Sequence, residues 1–355
     1  MEQRETIFEM SETNQRNKAI AQAYWAICDT TPVADLTSSL SRHIGPDFQF
    51  QGFDPVGTLS GAAAFVDHYL LPLRTAFPEL VRQTHIAIGG LSDGKADGST
   101  DGAFWVGATG YLCGRQAEDV WGVPARNQHL RLRWGEFLQF DTDGRILRSQ
   151  TLIDVIDWLE QGGLSPLPRS RGAPFVYPAP TGAIGTLWDD HGARAQRADD
   201  QARDLLAFGR QFIFGGLNAF DQSNLKTMKM ADYFHPNLKW YGPGGIGACL
   251  SLTEFEELHQ RPWLDAFPDR KVGDLDNLIA EGAYLGASSL PGVYLTQTGP
   301  YLGHTASHQR AGVNGIDFWR YEKGQFTENW VFVDMLHLFK QFGVDLMARV
   351  QHMTH

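Results

Sequence analysis

Two aspartates in matching settings, Asp334 and Asp154, are the residues best placed for chemistry. Asp334 closes the strand of a strand-turn-strand-helix stretch, Gly315 to Gly343, GIDFWRYEKGQFTENWVFVDMLHLFKQFG, with the turn at Glu322-Lys323-Gly324. It stands among Trp330, Phe332, Met335 and Leu338. Apolar surroundings disfavour the charged form of an acid and raise its pKa, which makes Asp334 a proton-transfer candidate. Aspartate is equally favoured as the cap of the following helix, and the two roles are compatible. His304, at the end of an expected strand, is a candidate acid/base partner. Asp317, on the face of Trp330, is a second carboxylate that would share a proton with Asp334 if the two came close. Tyr241, Trp319 and Trp330 are the candidate walls of a pocket for a flat apolar molecule, with core packing as the plainer alternative. His308 and His337 read as exposed or core residues.

The stretch that carries Asp334 occurs twice. A shift of 180 residues lays Gly135, Gly144, Asp154, Gln161 and Gly163 on Gly315, Gly324, Asp334, Gln341 and Gly343. A shift of 190 lays Pro46, Gly52, Gly57, Phe65, Pro72 and Ala76-Phe77-Pro78 on Pro236, Gly242, Gly247, Phe255, Pro262 and Ala266-Phe267-Pro268. The first copy therefore carries about ten extra residues, which we place mostly within Arg115 to Arg133. Two copies of a domain of about 150 residues follow, each long enough to bury its own core. A symmetric hairpin sets Asp334 opposite Val313 and Asp154 opposite Arg133. Arg133 would hold Asp154 ionised and serve structure or substrate binding, whereas Val313 would leave Asp334 desolvated. The second copy is thus the expected active site, on a register that one residue of slip would reverse.

The bulk properties exclude several classes. Net charge is −11 over 355 residues, without basic runs, which argues against nucleic-acid and anionic-membrane binding. No apolar run reaches the length of a membrane span, and the start, MEQRETIFEMSETNQRN, lacks the apolar core of a secretory signal. Cys28, Cys113 and Cys249 are scattered, which fits a reducing, cytoplasmic setting and offers no zinc motif. Neither a P-loop, an HExxH nor a GxSxG motif is present, and the glycine-rich Gly242 to Gly247 lacks dinucleotide spacing. No cofactor or metal is expected.

The elements that must position these residues follow from periodicity and punctuation. Residues 1–15 read as a loose arm, 16–163 as the first domain, 164–200 as a Pro/Gly-rich linker packed along the surface, and 201–350 as the second domain. Each domain opens on helices: Asn17 to Cys28 and Gly61 to Arg74, then Gln201 to Gly215 and Ser251 to Ala266. Strands follow, in the second domain at Phe234 to Tyr241, Lys271 to Ala280, Gly292 to His304, Val313 to Tyr321 and Gln325 to Val333. This order is α+β: two tandem cone-shaped domains, each a curved, mostly antiparallel sheet wrapped around helices, forming an intramolecular pseudo-dimer. Sheet faces of this kind also pair between chains, so a homodimer is a further expectation.

The segment G-I-D-F-W-R-Y-x-x-G-x-F-x-E-N-W-x-x-x-D at 315–334, with A-F-P-D at 266–269 and T-x-T-G at 296–299, resembles the SnoaL-like polyketide cyclase family. The resemblance implies the cystatin-like α+β cone shared with ketosteroid isomerase and cofactor-independent aldol ring closure. It implies a catalytic aspartate where the last strand meets the final helix, at Asp334 and, in the first copy, Asp154. The family pairs that aspartate with a histidine on the preceding strand, where this chain has Phe318-Trp319-Arg320 and Leu138-Gln139-Phe140.

Two functions are therefore weighed. One is a cofactor-independent acid/base enzyme (aldol cyclase, isomerase, lyase or hydrolase) acting on a small apolar or aromatic carbonyl compound, with Asp334 moving the proton and donors such as His304 stabilising an enolate. The other is a non-catalytic ligand-binding pseudo-dimer. An open pocket beside a carboxyl of raised pKa favours the first; a filled cone or a purely capping aspartate favours the second.

Overall fold

The computed structural model describes residues 2–188, 195–221 and 224–353, with side chains from residue 12 onward apart from 195–199 and 225. The first half builds one six-stranded sheet from β1 (Ile44–Gly52), β2 (Thr58–Ser60), β3 (Val81–Leu91), β4 (Phe104–Arg115), β5 (His129–Phe140) and β6 (Ile146–Ile153). Its order is β2-β1-β6-β5-β4-β3, antiparallel except for the β1–β6 pair. The second half repeats the order with β7 (Phe234–Tyr241), β8 (Ala248–Cys249), β9 (Lys271–Val272), β10 (Asn277–Glu281), β11 (Tyr284–Thr296), β12 (Arg310–Glu322) and β13 (Gln325–Val333), arranged β10-β11-β12-β13-β7-β8 with β9 beside β11. Each sheet curls around its own helices and leaves no closed barrel. This is the α+β, two-domain architecture expected from the element order.

Strand alternation gives each sheet two jobs. One face wraps its helices, and the other packs against the opposite sheet. Phe137 on β5 stacks on Phe318 on β12 with ring centroids 5.0 Å apart. Gly135 lets the backbones approach: a Cβ there would lie 2.9 Å from the Phe332 ring. The edges also join, with Asp93 N–H donating to Leu278 O and Leu275 N–H donating to Gly94 O, each at 2.9 Å. Buried Gln150 reaches across to accept from Ser288 Oγ at 2.6 Å and to donate to Asp276 at 2.7 Å.

The segment after residue 163 is a strap bound to both domains. Gly172 N–H donates to Ile246 O, and Ala173 bridges Ala248 beside the second sheet. Tyr177 is buried, and Pro178 O accepts from Trp330 Nε1 at 2.8 Å. Thr186 then bridges Ala87 at the first sheet. Residues 189–194 of the expected linker lie outside the described residues.

Several expectations change. The backbone is helical from Glu2 to Thr30, so the N-terminal arm is not a loose coil. The helix expected from Gln201 begins earlier, at Ala195, so residues 195–200 of the expected linker are helical. The strand expected over Lys271 to Ala280 is split into β9 and β10, and β11 begins at Tyr284 and ends at Thr296, well before His304. The excess of the first half lies in the β3–β4 connection, residues 92–103, where the second half has only Gly282-Ala283 between β10 and β11. The Lys323-Gly324 turn has φ of 50° and 92°, the conformation that favours glycine. Immediately beyond it the ladder shifts between Arg320 and Tyr321, and Gly315 pairs with Val333. Asp334 N–H therefore meets Asn314 O, not Val313, whereas Asp154 N–H meets Arg133 O as expected. The first hairpin has the same irregularity between Gln139 and Phe140, but its turn is one residue longer, Phe140 pairing with Ile146 where Tyr321 pairs with Phe326, so this one-residue slip moves the equivalence along β12 from 180 to 181.

Phe137→Ala should open a hole in the sheet-on-sheet contact and lower stability by about 3 kcal/mol. Because the contact is shared, calorimetry should record one unfolding transition; two separated transitions would mean that the halves are independent.

Candidate functional site

A cavity of about 200 Å³ lies inside the second cone. Apolar residues from the helices line it, among them Phe212, Ile213, Trp263 and Leu264, and β12 and β13 supply Val313, Val331 and Val333. A wide, π-helical turn at Phe255–Gln260 turns Phe255, His259 and Gln260 inward. The matching wide turn at Val66–Leu70 shows that this geometry belongs to both halves. A smaller cavity, about 50 Å³, sits in the first domain beside Cys28, Tyr69 and Arg82.

The polar content of the second cone is sparse and poorly satisfied. Asp317 lines the cavity and has one long contact, Asn329 Nδ2 at 3.4 Å. Burial pushes its acid up to about 7, against the pull of Asn329. His259 stacks on Trp240 with centroids 4.2 Å apart. Burial, helped by the charge of Arg270, drives its pKa down to about 3, so the ring is neutral at ordinary pH. Burial lowers Arg270 to about 10, which leaves it cationic. Its guanidinium donates to Leu217 O at 2.7 Å. His259 Nδ1, Gln260 Oε1 and Trp319 Nε1 are buried without a hydrogen-bond partner among the described residues. Unmet polar atoms around an apolar space are what a ligand-binding cavity requires.

The first cone shows the same carboxylate position in a satisfied state. With the one-residue slip, Glu136 corresponds to Asp317, and Ser149 corresponds to Asn329. Glu136 accepts from Trp25 Nε1 at 2.7 Å, Ser149 Oγ at 2.7 Å and Tyr24 Oη at 3.3 Å. The first helix thus fills the first cone with two donors, while the second cone offers Phe212 and Ile213 in their place.

Residues 217–342 match the family model described as SnoaL-like polyketide cyclase. The second domain is SnoaL-like. No curated protein matches the chain. Among solved structures, AclR from Streptomyces galilaeus shares 18% identity over 40% of this chain and 97% of its own, with a TM-score of 0.33. TsrD from Streptomyces laurentii shares 26% over 39% and 96%, at 0.32. IdmH from Streptomyces antibioticus shares 17% over 37% and 96%, at 0.30.

In this SnoaL-like domain the sequence candidates are dispersed. Asp317 and Trp319 line the cavity. Asp334 does not: it caps the helix Met335–Gln341 through His337 N–H at 3.1 Å and accepts Asp54 N–H from the other domain at 2.8 Å. Burial still raises its pKa to about 7 against those two donors. Asp154 mirrors it, capping Val155–Gln161 and accepting Gly244 N–H at 2.8 Å. Gly244 is the residue that the 190 shift lays on Asp54, so the two clamps are reciprocal. Arg133 is buried at this interface, against Asp157 at 2.8 Å, Asp154 at 3.4 Å and Gly242 O at 2.7 Å. Burial opposes its charge, but Asp157 and Asp154 outweigh that and push its pKa up. Trp330 and Tyr241 face the strap, their rings 5.4 Å apart, with Tyr241 Oη on Glu328 at 3.2 Å. His304 lies in a loop, its Nε2 3.1 Å from Arg349, and its pKa is lowered by burial and by that charge.

Asp334, Asp154, His304, Tyr241, Trp330 and Arg133 do not line the cavity, for three reasons. Tyr241, Trp330 and Arg133 occupy strand positions that face the strap or the interface, Asp334 and Asp154 cap helices beyond the strand ends, and His304 lies in a loop. Strand alternation would have favoured Trp240 over Tyr241, since Leu238 and Trp240 share a face. His259, Gln260 and Arg270 had no local signal: the wide turn and the cone closure place them. Among the described residues no cluster of three or more His, Cys, Asp or Glu forms a metal site, and no helix is long and apolar enough to cross a membrane.

The folded pKa of Asp317 lies above its ordinary value of 3.8, so ionising it costs the folded state, increasingly from about pH 4 and fully above about pH 7. Asp317→Asn should therefore raise the melting temperature at pH 8, by about 1–2 °C for each kcal/mol relieved, and bring no gain at pH 4. Glu136→Gln should lower it at pH 8. Paired thermal melts of both variants decide.

Proposed function

We propose that the second domain is a cofactor-independent acid/base enzyme of the SnoaL-like class acting on a small apolar or aromatic carbonyl compound, with Asp317 as the group that moves the proton. The observation that carries this reading is a carboxyl with one weak partner inside an otherwise apolar cavity. An acid of pKa near 7 is matched to taking and returning a proton at neutral pH. As carboxylate, Asp317 would remove the proton next to the substrate carbonyl. The charge moving onto the carbonyl oxygen calls for donors, and Arg270 and Trp319 Nε1 line the same cavity. His259, neutral, would shape the wall and offer a hydrogen bond, not a charge. The enolate then attacks a second carbonyl, is reprotonated elsewhere or expels a leaving group; which of these occurs defines cyclase, isomerase or lyase. The first domain, its cone filled, would serve as the supporting half. The cysteines are all free, in keeping with a cytoplasmic setting.

The test uses 2-tetralone as a carbonyl probe and follows its deuterium uptake from solvent by NMR. The wild type should catalyse exchange with a rate that rises through about pH 7. Asp317→Asn should lose about a hundredfold or more, while Asp334→Asn, if folded, keeps the rate. Exchange that survives Asp317→Asn overturns the assignment, and binding without exchange supports the ligand-binding pseudo-dimer instead.

A further inference from the structure

A second cavity, about 310 Å³, lies against the first. His259 and Ile246 line both, so they form the wall between them. Its outer side is formed by the interdomain strap, which brings Arg169 and Arg171 to the rim. Both arginines are exposed, and neither makes an ion pair among the described residues. Opposite them stands Tyr301, 4% exposed, with a hydroxyl that finds no hydrogen-bond partner among the described residues. Burial raises the Tyr301 pKa, and the charge of Arg171 works against that rise. Arg349, 3.1 Å from His304 Nε2, adds positive charge next to Gly303 on the same rim. Glu160 is engaged by the Gly245 backbone behind the wall.

Tyr301 and His304 are peculiar to the second half. Tyr301 and His304 bridge a tight turn whose central residues, Leu302 and Gly303, have φ of 43° and 80°. The first half builds the same turn at Trp121-Gly122, bridged by Val120 and Val123. Where the first half places two valines, the second places a tyrosine and a histidine. In a chain of net charge −11, Arg169 and Arg171, without an ion pair among the described residues, concentrate the opposite sign at one point. Arginine forks match the oxygens of a carboxylate, sulfonate or phosphate.

We infer that this outer cavity is a subsite for an anionic group carried by the same molecule whose apolar body occupies the inner cavity. The inference rests on the reading of the inner cavity as a ligand site and extends it to substrate class: an amphipathic carbonyl compound with an acidic end. His259, shared by the two linings, would stand at the junction, its unpartnered Nδ1 available to the linker between ring and anion.

The probes are 4-(1-naphthyl)butanoate and its methyl ester, which differ by one charge, titrated calorimetrically into the full chain. The acid should bind at least about tenfold tighter than the ester, and this advantage should shrink from 50 to 300 mM salt. The double variant Arg169→Ala, Arg171→Ala should abolish the advantage and leave ester affinity unchanged; both residues are exposed, and an unaltered melting temperature confirms the fold. Tyr301→Phe should weaken the acid alone. Equal binding of acid and ester, or an acid advantage that survives the double variant, overturns the inference while leaving the inner cavity intact. Failure of both probes to bind overturns the inference together with the reading of that cavity.

Discussion

The packing of the two sheets against each other constrains everything else in this chain. A strand turns alternate residues to opposite faces, so each residue given to the interface leaves its neighbours for the cone. Phe137 and Phe318 meet across the interface, which sends Glu136 and Asp317 inward. Trp330 and Tyr241 go outward beneath the strap for the same reason. Asp154 and Asp334, at the strand ends, each cap a helix and take a backbone N–H from the other half. These aspartates look catalytic by position, and the two backbone N–H groups that each accepts also hold the two halves in register.

That division explains why one cone is filled and the other open. A carboxylate inside a cone is costly unless donors meet it. The first cone supplies three, from Tyr24, Trp25 and Ser149, and closes over them. The second supplies, among the described residues, Asn329 alone, at 3.4 Å, and leaves space beside it. The open cone accepts a destabilising group, and such unresolved cost is characteristic of sites that handle a ligand. The strap gains a second meaning here. It ties the domains together, and it also carries the arginines that rim the outer cavity.

Much of the fold was legible. The shifts of 180 and 190, the positive-φ turn at Lys323-Gly324, and the aspartate before each last helix are local patterns, and local patterns survive tertiary context. Asp317 stands out in the sequence as a carboxylate on the face of Trp330, and Trp319 as a strand aromatic, but the ladder pairs Asp317 with Val331 and Trp330 with Phe318, so Asp317 and Trp330 lie on opposite faces. Asp334 drew attention for the same local reason, an acid amid apolar neighbours, but sequence neighbours do not say which domain supplies the hydrogen bonds.

The sequence by itself determined the α+β order, the two similar halves and the helix caps, since these depend on periodicity, turn chemistry and short-range hydrogen bonds. Tertiary structure alone decided the site. A hairpin turn one residue shorter than that of the first half moved β12 by one residue and exchanged its faces, because side chains alternate with a period of two. A wide helical turn aimed His259 and Gln260 inward, and cone closure brought Arg270 beside them. Whether a buried acid is met by donors depends on what distant segments place beside it: Trp25 and Tyr24 donate to Glu136, whereas the contact of Asp317 among the described residues is Asn329 at 3.4 Å.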